Sequence, residues 1–278
     1  VVRTLTFGAL ASRPPPRWVA RWRGCFLLVL VGSALTLFSA NARADSVANL
    51  VRKLETNSSY KVRLTAALVL RKSCDPRAFK ALLKALKTDK NSLVRATCAS
   101  SLASLGVVKA VPALKKAARS GDSKLKRRAR KALARLCPSS TSGKSKYVNL
   151  DRISYKGPRG GRMAVPIVRC RLARALRKQR NIMVSWARCK KPRKRHLRRK
   201  RLKGYYLDVV VKLKSSGGMT KCKISPTFFT YPRAKLLTTG GGTVVKVHGN
   251  LSPTSVSTCF KHAVNSTKGS IIQTLQRL

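Results

Sequence analysis

Acidic residues are scarce in this chain: 7 Asp and Glu stand against 62 Lys and Arg in 278 residues, a formal net charge of +55. Glu55 is the lone glutamate, and no two acids lie close enough in sequence to propose a general acid and base. Histidine is scarcer still, with 3 residues, His196, His248 and His262. Cys259 and His262 are spaced to share a helical face and could seat a metal or pair a nucleophile with a base. Neither a second ligand pair nor an orienting carboxylate accompanies them. Gly240-Gly241-Gly242 lacks the Lys-Ser/Thr end of a phosphate loop and reads as a turn. These absences argue against an enzyme, and the chain is expected to need no metal or cofactor. Aromatic residues make up 6%, too few beside the basic runs to support base stacking. The apolar run from Cys25 to Ala40 falls short of the roughly 20 residues of a membrane span.

What precedes that run gives it a meaning. Arg3, Arg13, Arg17, Arg21 and Arg23 form a basic region, and Ala42-Arg43-Ala44 closes the segment. A basic start, a short apolar stretch and an A-x-A site are the pattern of a secretory signal. Residues 1–44 are thus expected to be a signal peptide cleaved after Ala44, with an uncleaved anchor as the alternative, and the protein to be periplasmic or secreted. The mature chain would keep Cys74, Cys98, Cys137, Cys170, Cys189, Cys222 and Cys259 in an oxidising compartment. Seven is odd, and Cys98 takes a position that Ala66 holds one repeat earlier, so it reads as a small buried hydrophobe.

That repeat organises residues 45–137. Val62-Arg63-Leu64-Thr65-Ala66-Ala67 returns 32 positions later as Val94-Arg95-Ala96-Thr97-Cys98-Ala99, and the register continues through Leu70 and Leu102. Apolar spacing of three and four predicts three helix pairs: 46–55 with 59–72, 77–87 with 92–105, and 109–119 with 123–136. Asp75 before Pro76 is a helix start, Gly106 a helix stop, and Ser92 and Ser123 are available caps. Units of this kind bury a core only by stacking. At Cys74-Asp75-Pro76-Arg77-Ala78-Phe79-Lys80-Ala81-Leu82, with Asp89 and then Val94-Arg95, the segment resembles the short bacterial type of HEAT repeat, the type also found in bilin lyases. The resemblance implies an α-solenoid of three helical hairpins, a binding surface lined by the second helices, and a ladder between repeats formed by Asp89 and Arg95, with Arg63 as its equivalent in the first repeat.

A Ser, Thr and Gly-rich linker at 138–146 leads to a segment of different period. Over 147–278 we expect a small α+β domain, its sheet antiparallel or mixed, with two helices. The predicted elements are a strand over 147–155, a helix over 166–179, a short strand through Ile182, Val184 and Trp186, a hairpin from Tyr205 to Tyr231 around Gly217-Gly218, a strand over 243–247 and an amphipathic last helix. This order is loosely similar to small envelope domains of bacterial assembly lipoproteins. Cys222 in the hairpin and Cys259 in the last helix are a candidate disulfide, as are Cys170 and Cys189.

Two basic runs are the candidate anion-binding sites. One is the last repeat helix, with Lys124, Arg127, Arg128, Lys131 and Arg135 around an apolar stripe. The other is an insertion over 188–203, expected as an exposed loop, with Lys190, Lys191, Arg193, Lys194, Arg195, Arg198, Arg199, Lys200 and Arg201. A solvated capping face accounts for polarity but not for a single sign of charge. The sequence therefore points to a non-catalytic, exported binding or scaffold protein whose partner is an acidic protein or a polyanionic envelope polymer or lipid. Non-specific nucleic-acid binding through phosphate contacts is the second reading, and a subunit of a lyase-type HEAT enzyme the third.

Overall fold

The computed structural model describes residues 46–186 and 189–278. The leader over 1–44, its cleavage site and Arg188 lie outside the described residues.

The repeats form helical hairpins: α1 (Ser46–Thr56) with α2 (Tyr60–Leu70), α3 (Pro76–Thr88) with α4 (Ser92–Leu105), and α5 (Val111–Ala117), entered through a 3-10 turn at Val108–Ala110, with α6 (Ser123–Leu136). Alanines on the second helices, among them Ala66, Ala67, Ala96, Ala99, Ala129 and Ala132, are buried and let neighbouring helices approach. Leu54, Leu70, Leu82, Leu102, Leu114 and Leu136 fill the space between them. Cys98 is a free, fully buried thiol in this core, and burial, then the charge of Asp89, push its pKa up.

The helix ends use the scarce acids. Asp75 accepts the Arg77 amide at 2.8 Å and also holds its guanidinium, with Pro76 in the first turn. The caps of α4 and α6 are Asn91 and Asp122, each one residue before the serines that sequence suggested. Their longer side chains reach the amides of Leu93 and Leu125. Gly106 ends α4 at φ +75°, a left-handed conformation that favours glycine. Asp89 makes the rung between repeats. Its carboxylate takes Arg63 Nε at 2.8 Å and Nη2 at 3.0 Å, while Arg95 donates to the Asp89 carbonyl at 2.8 Å. Burial alone would raise the Asp89 pKa, but the bonds from Arg63 and the Asn91 amide outweigh it and hold the carboxyl below its ordinary value.

In the second half, β4 (Lys203–Ser216) and β5 (Met219–Thr230) form a long hairpin around Gly217 and Gly218, at φ +56° and +67°. The strand expected over 147–155 is broken at 150–152 into β1 (Lys146–Asn149) and β2 (Ile153–Lys156), which pair in parallel with successive stretches of β4. Lys146, assigned to the linker from sequence, is thus the first residue of a strand. It is buried, and its ammonium donates to the Leu275 and Gln276 carbonyls at the end of the last helix. The next strand is shorter than expected, with β3 (Ile182–Met183) lying beside β1. On the far side, β6 (Leu236–Thr239), absent from the sequence reading, and β7 (Thr243–His248) pair with β5. The sheet is mixed. One face, from Leu207, Val209, Val211, Ile224 and Phe228, packs on α7 (Ala164–Arg177) and α9 (Pro253–Arg277). Among the described residues no helix is long and apolar enough to cross a membrane.

The insertion is not a free loop. It carries α8 (Lys194–Arg199), whose Leu197 is buried with Tyr147, Met183 and Leu202 on the other face of the sheet. The Tyr231 hydroxyl donates to the Pro192 carbonyl at 2.6 Å and ties it further.

Among the described residues three disulfides are present, compatible with an extracytoplasmic protein. Cys222 joins Cys259. The suggested pairing of Cys170 with Cys189 is not made: Cys170 joins Cys74, 96 residues away, and Cys189 joins Cys137, 52 residues away. Cys170 lies on the side of α7 that packs into the helical core, which places the Cys74 thiol within reach. With Cys259 bonded, the pairing of Cys259 with His262 as metal ligands or as nucleophile and base is ruled out. Among the described residues no three His, Cys, Asp or Glu side chains converge as a metal site.

Candidate anion-binding cleft between the repeats and the sheet

Helix α7 has two faces. Ile167, Val168, Leu172 and Leu176 go to the sheet core, while Arg171, Arg174, Arg177 and Lys178 recur at three- and four-residue spacing with no acid among them. The repeats offer the opposing wall where their second helices end. Arg71 and Lys72 follow α2, Ser104 lies in the last turn of α4, and Arg135 in the last turn of α6.

These residues enclose a cleft of about 390 Å³ lined by Arg71, Lys72, Ser104, Arg135, Arg174, Arg177 and Lys178. Six of the seven carry positive charge and none carries negative charge. Part of that charge is met by backbone: Arg174 donates to the Lys72 carbonyl at 3.0 Å and the Arg71 carbonyl at 3.3 Å, where the dipole of α2 favours a cation. The Arg177 guanidinium lies against Gly106 and leaves no room there for a β-carbon. Its Nε is buried without a hydrogen-bond partner, as is that of Arg171. Burial lowers the pKa of Arg174, and burial, then the charges of Arg135 and Arg174, lowers that of Arg177. Guanidinium nevertheless remains protonated in proteins. Unpaired like charges held this close favour an incoming anion, which would supply the missing acceptors.

Of the residues predicted from sequence, only Arg135 enters the cleft. Lys124, Arg127, Arg128 and Lys131 are exposed along α6. The disulfide from Cys137 to Cys189 brings the end of α6 to the start of the insertion, so the two basic runs meet beside Lys190 and Lys191. Lys191 is paired with Asp151 at 2.9 Å. Arg193, Lys194, Arg195, Arg198, Arg199, Lys200 and Arg201 are exposed on α8 and its flanks. Sequence reasoning missed Arg71, Lys72, Arg174, Arg177 and Lys178. The available signal was the polar face of α7, where an ordinary solvated helix would carry acids spaced to pair with the arginines.

Residues 47–134 match the family model of HEAT repeats. No curated protein matches the chain. Among solved structures, a neuraminyllactose-binding hemagglutinin homolog from Helicobacter pylori is 10% identical, covering 51% of this chain and 85% of its own, with a TM-score of 0.29. That likeness is too slight to bear on fold or ligand. HEAT repeats suggest a repeat-based binding or scaffold role. The chain thus carries a HEAT-repeat domain, its repeats lying within residues 47–134.

Proposed function

We propose that this protein is an exported, non-catalytic binding protein that engages an acidic protein or an anionic envelope polymer, with the cleft between repeats and sheet as its anchoring site. The observation that carries the reading is the convergence of Arg71, Lys72, Arg135, Arg174, Arg177 and Lys178 on one cleft without a carboxylate. The exposed cations of α6 and α8 then extend the contact and speed encounter with a polyanion. Export after cleavage at Ala44 agrees with the disulfides, which persist in oxidising compartments.

The test is retention by immobilised heparin, lipopolysaccharide and duplex DNA across a salt series, for wild type and for an Arg174→Glu, Arg177→Glu variant. The expected result is binding at physiological salt that weakens steeply with ionic strength and collapses in the variant. Retention unchanged by the variant removes the cleft from the reading. Preference for DNA over the other polyanions would move the assignment to nucleic acid. Sequencing the amino terminus of the purified mature protein tests export.

A further inference from the structure

A second, larger cavity lies on the other side of Arg177. It measures about 640 Å³, within the range of small-molecule sites, and occupies the junction between the repeats and α7 with its neighbouring strands. Its first wall is Phe79 and Leu83 of α3 with Val107 after α4, and its second is Ala173 of α7 with Val184 and Trp186. Both disulfides between the halves border it through Cys170 and Cys189, so the two walls are covalently held at a fixed separation. A cavity between packed units that served packing alone would be closed by side chains. Here Val108 on the lining remains 47% exposed.

The rim has a sign. Lys80, Lys109 and Lys190 line it and are exposed, and among the described residues no carboxylate pairs with any of them. The one acid on the lining, Asp151, is occupied: it takes Lys191 at 2.9 Å and Asn149 Nδ2 at 3.2 Å. Arg169 is engaged with the Leu150 and Asp151 carbonyls. An apolar interior under a rim of free ammonium groups is complementary to one chemistry.

We infer that this cavity binds a single-chain anionic amphiphile, its acyl chain against Phe79, Leu83, Val184 and Trp186 and its head group at the lysine rim. The volume suits one chain, and burial of each methylene favours transfer from water. The inference is independent of the polyanion reading, since it rests on a different lining that shares only Arg177 with the cleft.

The experiment titrates the oxidised full chain with dansylundecanoic acid and follows dansyl fluorescence. Saturable enhancement is expected, reversed by palmitate or by palmitoyl lysophosphatidate, and hexadecanol should require at least tenfold more to displace the probe. Whichever of palmitate and lysophosphatidate displaces at lower concentration identifies the head group as carboxylate or phosphate. Val108→Glu and Lys109→Glu place negative charge on an exposed part of the lining, and each should weaken the probe about tenfold or more. Leu83→Trp should block it by filling the interior. The two exposed substitutions carry the test even where Leu83→Trp fails to fold. Absence of saturable enhancement, equal displacement by hexadecanol, or wild-type titration of both exposed variants would overturn the inference. Arg71→Glu with Arg135→Glu is the control that separates the sites, because it should abolish heparin retention and leave the dansyl titration intact.

Discussion

The two halves of the molecule place their few acids in different ways. Among the described residues of the repeats every acid is employed: Asp75 and Asp122 cap helices, Asp89 clamps Arg63, and Glu55 lies 3.7 Å from Lys84. In the sheet half only Asp151 and Asp208 are present, and α7 has none. Its Arg174 reaches instead for the Arg71 and Lys72 carbonyls at the end of a repeat helix, and Arg171 and Arg177 keep a buried, unpartnered Nε. The described acids of the helical half are therefore all engaged within it, whereas the α7 arginines are met partly by the neighbouring repeats and leave the remainder for an anion from outside.

If the halves complete each other, the covalent ties between them should matter most. Replacing Cys74 and Cys170 by Ala removes a cross-link between residues 96 apart, for which chain entropy alone gives about 4 to 5 kcal/mol. Removing the Cys137 to Cys189 bond as well should split a single unfolding transition into two, read by urea titration with circular dichroism and tryptophan fluorescence. Heparin retention should fall in the same variant. Replacing Cys222 and Cys259, whose bond lies within the sheet half, should destabilise the protein yet leave one transition and the cleft intact.

The next largest effect belongs to the helical half. Arg63→Ala leaves the Asp89 carboxylate, 5% exposed, without its main partner and should cost about 3 kcal/mol. The pH dependence follows from the direction of the shift. The folded pKa of Asp89 is depressed, so its contribution is complete above the unfolded value near 3.8 and is lost as pH falls through the folded one. Asp208 has the opposite sign. Burial raises its pKa more than Arg152, 3.4 Å away, lowers it, and one oxygen has no partner. Its ionisation opposes folding as pH rises through the folded value, so Asp208→Asn should be neutral or stabilising at pH 7. Acid titration of Arg63→Ala should be flatter than that of wild type, and equal acid sensitivity in the two would contradict the assignment.

The same division explains what could be read in advance. The repeats were legible to within a few residues because each helix is specified locally, by Asp75-Pro76 at one start, Gly106 at one stop, and apolar spacing between. Their caps were misplaced by one position because Asn91 and Asp122 compete with adjacent serines. In the sheet half the hairpin was clear from strict alternation about Gly217-Gly218. The break between β1 and β2, the place of β6 and the partners of Cys170 and Cys189 depend on contacts between distant segments, which periodicity does not encode. The cleft was hidden for the same reason: Arg71, Arg135 and Arg177 are far apart in sequence and meet only when α7 docks on the repeat ends. The dense basic runs drew attention by local composition, yet they are mostly exposed.

The contrast between the half-buried Arg174 of the cleft and the exposed cations of α6 can be measured. Arg174→Ala should weaken heparin binding about tenfold or more, the worth of a charge-assisted bond of roughly 1.5 kcal/mol or above, because Arg174 is held in place by two carbonyls and is partly withdrawn from water. Lys124→Ala or Arg128→Ala on α6 should change affinity far less and stability by no more than about 0.5 kcal/mol. Each should mainly slow association at low salt, since an exposed cation acts through the long-range field, which the Debye length truncates. Surface plasmon resonance at two ionic strengths distinguishes the cases. Arg174→Ala should raise the dissociation rate at both, whereas the α6 variants should lower the association rate at the lower ionic strength and become indistinguishable from wild type at the higher. If the α6 variants instead accelerate dissociation as much as Arg174→Ala does, the cleft is no more than one part of a uniform basic surface.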